Sequence, residues 1–179
     1  MEEVAVTVPL VCKALHRAFR LPNGASIIVA TDKDATSGAA AMAVRVGSHF
    51  DPPELPGLAH LCEHMLFLGT ERNPKEGEYN AYVAEHGGSC NAWTEDAVTV
   101  YNFNCQSEAL PEGLRIFLHF FVCPLFTASS LEREVQAVHS EDEKNHSDDY
   151  WRQLEILKCH LSDPAHPHSQ YGNGNATTL

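Results

Sequence analysis

The run His60-Leu61-Cys62-Glu63-His64 sets two imidazoles four positions apart with a carboxylate between them. On a helix, positions four apart lie one turn apart on one face, so both rings can reach a single ion at the roughly 2.0–2.1 Å that Zn–N bonds require. Glu63, three positions after His60, projects beside such an ion. A carboxylate there takes a proton from water whose pKa the ion lowers toward about 7, and later returns it to a leaving amine. The spacing predicts one zinc per chain, held by His60 and His64, with Glu63 as general base and acid and one position left for water. Composition alone yields this order in about one such chain in twenty, so the element that carries it matters.

That element is predicted to be a helix over 58–68. Leu58, Leu61, Met65 and Leu68 recur at spacings of three and four, and Gly69 supplies a stop. Three polar side chains on a largely apolar helix need a reason to face inward. The preceding stretch 51–57 holds three prolines, which remove donors and restrict their predecessors, so it delivers the chain to the helix as a loop.

Two histidines do not complete a site. A helix predicted over 129–146, opened by Ser129 or Ser130, offers Glu132, Glu134, Glu141 and Glu143. Glu134 and Glu141 are two turns apart on one face, which makes Glu141 as ligand with Glu134 supporting it a sensible pair. Spacing does not choose among these acids, and taken alone the series reads more simply as a solvated helix face.

The rest of the chain supplies a scaffold. After a polar lead-in, strands are predicted over 25–30 and 39–46, expected to pair with each other. A helix follows over 74–86, then strands over 89–94 and 97–104 joined at Glu95-Asp96, then helices over 108–121 and 150–162, with an irregular tail from 163. The expected fold is α+β, an antiparallel or mixed sheet of these four strands with helices packed mainly on one face. At 179 residues the chain reads as a single domain, 1–179, incomplete at its C-terminus.

The totals exclude other classes of function. With 12 basic against 24 acidic residues and a net charge of -12, the chain repels a polyphosphate backbone, so no nucleic-acid partner is expected. The most apolar run, 116–126, is too short to span a bilayer and contains His119 and Pro124. An acidic start and six cysteines without C-x-x-C spacing give the expectation of a leaderless cytoplasmic protein with free thiols. Cys62 is expected to be a buried packing residue rather than a fourth ligand. His166-Pro167-His168 offers two histidines on a proline-kinked tail, which by themselves form no cage.

Residues 57–70, Gly-Leu-Ala-His-Leu-Cys-Glu-His-Met-Leu-Phe-Leu-Gly-Thr, resemble the zinc helix of the pitrilysin and insulin-degrading-enzyme family of inverzincin metallopeptidases. Residues 132–145 resemble that family's second zinc element, and the resemblance implies Glu141 as third ligand with Glu134 supporting the site. The run Gly88-Ser89-Cys90-Asn91-Ala92-Trp93-Thr94 resembles its active-site edge strand, which implies that Asn91 and Ala92 contact an extended peptide through main-chain hydrogen bonds. Phe67 is implied to line a side-chain pocket, with a core phenylalanine as the competing reading. Trp93 and His139 depart from the family's usual residues.

The resemblance implies a zinc-dependent endopeptidase acting on small or unfolded peptides. The alternative is a noncatalytic or truncated relative that binds peptides or serves as an interaction subunit. Family enzymes are longer, so the missing homologous domains or another subunit are expected partners beside peptide substrates. A structural zinc domain fits less well, because such sites are usually closed by four ligands and rich in cysteine.

Overall fold

A computed structural model describes residues 1–179, whose contacts gather into two compact units, Met1–Thr36 and Ser37–Leu179. The first unit is a three-stranded antiparallel sheet in the order β1 (Glu2–Val4), β2 (Leu15–Arg20), β3 (Ser26–Thr31). The strand expected over 25–30 is therefore present, but its partner is β2, in the register Arg17↔Val29, and not the segment over 39–46. Strand β2 escaped the sequence pattern because Leu15-His16-Arg17-Ala18-Phe19-Arg20 mixes polar and apolar residues on both faces. Arg17 reaches across to the Glu3 carboxylate at 2.9 Å, an exposed pair of small energetic weight.

The second unit contains β4 (Ser37–Val44), α1 (Leu58–Leu66), α2 (Glu78–Glu85), β5 (Ser89–Thr94), β6 (Thr99–Gln106), α3 (Leu110–His119), α4 (Ala128–Asn145) and α5 (Asp149–Leu161). Its sheet is antiparallel throughout, ordered β4-β6-β5. The expected single sheet of four strands is thus corrected to two sheets, because the first strand is claimed by a neighbour closer in sequence. Strand β5 lies at the sheet's edge, paired on one side only.

Central β6 alternates cleanly, with Thr99, Tyr101, Phe103 and Cys105 buried. Against that face pack Leu66 from α1, Tyr79 and Val83 from α2, and Ile116 and Phe117 from α3, with Phe120 just beyond. Each such side chain, fully buried, contributes about 1.5–3 kcal/mol. Trp93 faces the other way and is exposed.

A smaller cluster joins the two helices that matter most. Leu61 and Met65 of α1 meet Val138 of α4, with Val135, Leu68 and Leu179 around them. Helix α4 is capped by Thr127, whose hydroxyl accepts from the Ser130 amide at 3.1 Å, so the cap lies ahead of both expected serines, Ser129 and Ser130.

The start of α1 is set by its proline-rich approach. Asp51 folds back so that its carboxylate accepts from the amides of Gly57 and Ala59, both at 2.8 Å, satisfying donors the helix cannot. Gly57 has φ 98, and a Cβ there would stand 2.2 Å from the Gly174 Cα. Gly57→Ala is expected to destabilise the chain by about 2 kcal/mol or more, from left-handed strain plus the clash, read as a lower urea midpoint with unchanged slope.

Candidate metal centre

Helix α1 turns His60, Glu63 and His64 toward α4, and α4 answers with Glu134 and Glu141. The His60 Nε2 lies 3.5 Å from the Glu141 Oε2, and the His64 Nε2 lies 3.7 Å from the same oxygen. An ion bound tetrahedrally at 2.0–2.1 Å holds its ligand atoms about 3.3–3.4 Å apart. Both histidine–glutamate separations fall within a few tenths of an ångström of that spacing, and the three ligand atoms all lie within 4.8 Å of one another, a grouping that suits a zinc-sized ion.

The orientation of each ring is fixed from behind. The His60 Nδ1 lies 2.7 Å from the Asn173 carbonyl oxygen, which only accepts, so Nδ1 carries the hydrogen and Nε2 keeps its lone pair for the cleft. Glu134 performs the same service for His64, its carboxylate accepting from Nδ1 at 3.0 Å. Two carboxylates on His64 favour positive charge at this point. Hydrogen bonding to Glu141, opposed by burial and reinforced by Glu134, pushes the His64 pKa up to about 9. His64 in turn holds the Glu141 carboxyl below its usual range.

Of the four candidate acids, only Glu134 and Glu141 reach the histidines. Glu132 and Glu143 are exposed on other faces of α4. The reading of the series as a wholly solvated face is thereby corrected, since Val138 packing on Leu61 and Met65 rolls one side of α4 onto α1.

Glu63 is buried beside the pair, and one of its oxygens accepts from the Thr94 hydroxyl at 2.5 Å. Thr94 ends β5, and its neighbour Thr99 on β6 donates to the Val46 carbonyl at 2.8 Å. The edge strand and the acid are thus tied directly together. A cleft of about 1070 Å³ runs over these groups, lined also by Phe67, Asn91 and Ala92. Asn91 is exposed on β5 and Ala92 half-buried. The Phe67 ring faces Phe120 at 5.4 Å and also lines the cleft.

Cys62 is exposed and stands outside the ligand group, so the expectation of a buried packing cysteine is corrected. Its place two residues after His60 turns it to the helix's outer side.

Two contributors were not visible beforehand. Thr94 lies at the end of the edge strand, where neither its type nor its spacing marks it for a role. Asn173 acts through a main-chain carbonyl, which no side-chain pattern reveals. Its loop is held by Asp142, a buried residue of α4 whose carboxylate accepts from Asn175 Nδ2 at 3.1 Å and lies 3.4 Å from Asn173 Nδ2. The Gly57 and Gly174 backbones pack against each other and bring that loop to the start of α1.

Comparison with known proteins gives the chain its family. The family model described as Insulinase (Peptidase family M16) matches residues 26–176. The insulin-degrading enzyme of Drosophila melanogaster is 46% identical over 164 residues, 92% of this chain and 16% of that protein. The insulin-degrading enzyme of Homo sapiens is 45% identical over 167 residues, 93% of this chain and again 16% of that protein. Among solved structures, pitrilysin superposes with a TM-score of 0.92 at 30% identity, covering 99% of this chain and 19% of that one. The chain thus spans about a sixth of the length of the curated relatives it matches. A family match over most of the residues, relatives at this identity and a shared fold together make the chain a member of the insulinase family, peptidase family M16.

Proposed function

We propose that this chain carries the catalytic zinc site of an endopeptidase that hydrolyses small or unfolded peptides. The observation that carries the proposal is the convergence of two imidazole Nε2 atoms and the Glu141 carboxylate on one point, beside a buried Glu63 that hangs from the edge strand. His60, His64 and Glu141 would hold the ion, and Glu134 and the Asn173 carbonyl would keep the rings aimed. When bound, zinc supplies Lewis acidity that makes water acidic near neutral pH and polarises a carbonyl.

The remaining chemistry belongs to the chain's own residues. Glu63 accepts the proton of the attacking water on the oxygen that Thr94 leaves free, then returns it to the departing amine. The open edge of β5, in the run that holds Asn91 and Ala92, would add an extended peptide as a further strand, which gives affinity tolerant of sequence. Phe67 lines the cleft where a substrate side chain would lie. The six cysteines form no disulfide, which suits the reducing cytoplasmic setting we also propose. Peptides are the proposed substrates, with homologous domains or another subunit completing the enclosure.

Hydrolysis of a quenched fluorescent peptide tests this reading. Removal of metal with a chelator is expected to lower the rate about 100-fold or more, and one equivalent of zinc to restore it. Hydrolysis indifferent to chelation would sink the proposal. Peptide binding without hydrolysis, in a zinc-loaded chain, would favour the peptide-binding alternative instead.

A further inference from the structure

A second group of side chains able to bind a metal lies outside the site described above, and two of its three members, Asp96 and His168, line the same cleft. The turn between β5 and β6 carries Asp96, the 3-10 turn Ser48–Phe50 carries His49, and the 3-10 turn Pro167–Ser169 carries His168. The Asp96 Oδ2 lies 3.0 Å from the His168 Nδ1 and 3.5 Å from the His49 Nε2. These separations bracket the spacing of about 3.3–3.4 Å between ligands on one tetrahedral ion, whereas the first site's 3.5 and 3.7 Å lie just above it. The two rings stand edge to face at 5.7 Å and 88°, much as His60 and His64 do at 4.8 Å and 89°.

Three further observations point to a ligand. The His49 Nε2 is buried yet has no hydrogen-bond partner, so a polar atom aimed at Asp96 is unsatisfied. Lys158 pairs with the other Asp96 oxygen, Oδ1, which leaves Oδ2 facing the histidines. The three segments are also locked before any ligand arrives. The amides of Ser48 and His49 donate to the carbonyls of Glu95 and Asp96 at 3.0 and 2.8 Å, and a Cβ at Gly47 would stand 2.1 Å from the Glu95 oxygen. The His168 amide donates to the His166 Nδ1 at 3.0 Å, and Gly172 packs on the Ser48 side chain.

We infer that His49, Asp96 and His168 form a second binding site for a divalent transition metal of zinc type. Two imidazoles and one carboxylate are a donor set suited to zinc, cobalt or copper rather than to calcium or magnesium. Within the 166–168 segment, His168 finds its companions on two other segments, while His166 serves as a cap. Because Asp96 follows Thr94 by two residues, an ion here would tie the end of the hairpin that holds Glu63 to the 3-10 turns on either side.

Zinc binding to the 179-residue chain, measured by competition with a chromophoric chelator, tests the inference. The parent is expected to bind two equivalents. His49→Ala and His168→Ala should each bind one, with unchanged circular dichroism. A His60→Ala/His64→Ala variant should also bind one, and zinc should still raise its melting temperature. Two equivalents persisting in both His49→Ala and His168→Ala would overturn the inference, as would a parent that binds one ion lost only with His60 and His64. A parent that binds one ion lost only with His49 and His168 would support this site and refute the proposed catalytic one.

Discussion

Glu63→Gln is expected to lower peptide hydrolysis about 10²–10⁴-fold while zinc content stays at the parent's level. The amide keeps the size of the carboxylate and its acceptor oxygen for Thr94, but it has no basicity for the proton of the attacking water. Glu63 is buried and held at 2.5 Å by a hydroxyl on the edge strand, so the fold is expected to survive the change. Thr94→Val removes that hydroxyl while leaving the carboxylate. It should reduce the rate much less than Glu63→Gln, through loss of aim rather than of the base. Steady-state rates on the fluorescent peptide, run beside zinc analysis of each variant, separate these outcomes. An active Glu63→Gln enzyme would remove Glu63 from the mechanism.

Metal affinity is expected to fall in two distinct grades across the residues that surround the histidines. His64→Ala deletes a ligand atom and should abolish binding at this site. Glu134→Gln leaves every ligand in place and alters only the acceptor for the His64 Nδ1 hydrogen at 3.0 Å, so a 10–100-fold loss is expected. Chelator competition resolves the two grades. Equal effects from both changes would mean that Glu134 binds the ion itself or that α4 has moved away from α1. The seam that prevents such movement is apolar, made by Leu61, Met65 and fully buried Val138.

What the sequence revealed follows the range of the interactions involved. His60, Glu63 and His64 were legible because a helical turn relates them, and helical periodicity is local. The acids of α4 were legible as a face but not as ligands. Glu132, Glu134, Glu141 and Glu143 differ only in what they meet across the α1–α4 seam, and the family resemblance, not spacing, singled out Glu141. Strand propensity places 25–30 within a residue of β3 and 39–46 two residues late for β4, and it says nothing of partners: β3 belongs with β2, whose mixed pattern hides it. The class, α+β with antiparallel pairing and α1, α2 and α3 against one face of the second unit's sheet, survived because it depends on the elements' existence more than on their neighbours.

The Asn173 carbonyl and the meeting of His49 with His168 illustrate the other limit. Both depend on the tail crossing back over the start of α1 and the 3-10 turn at Ser48, where close glycine contacts allow backbones to touch. Glycines in a tail advertise a turn in sequence, but not what the turn packs against. No helix here is long and apolar enough to cross a membrane, in keeping with the short apolar run at 116–126.

The most direct test of the central claim, that α4 completes a metal site begun by α1, is elemental zinc analysis of Glu141→Ala beside the parent chain after gel filtration. One Glu141 oxygen lies 3.5 and 3.7 Å from the two imidazole Nε2 atoms, and its side chain is half exposed, so alanine there should fold normally. The parent is expected to exceed the variant by about one zinc per chain. Equal zinc in the two proteins, both folded, would contradict the account and remove α4 from the metal site.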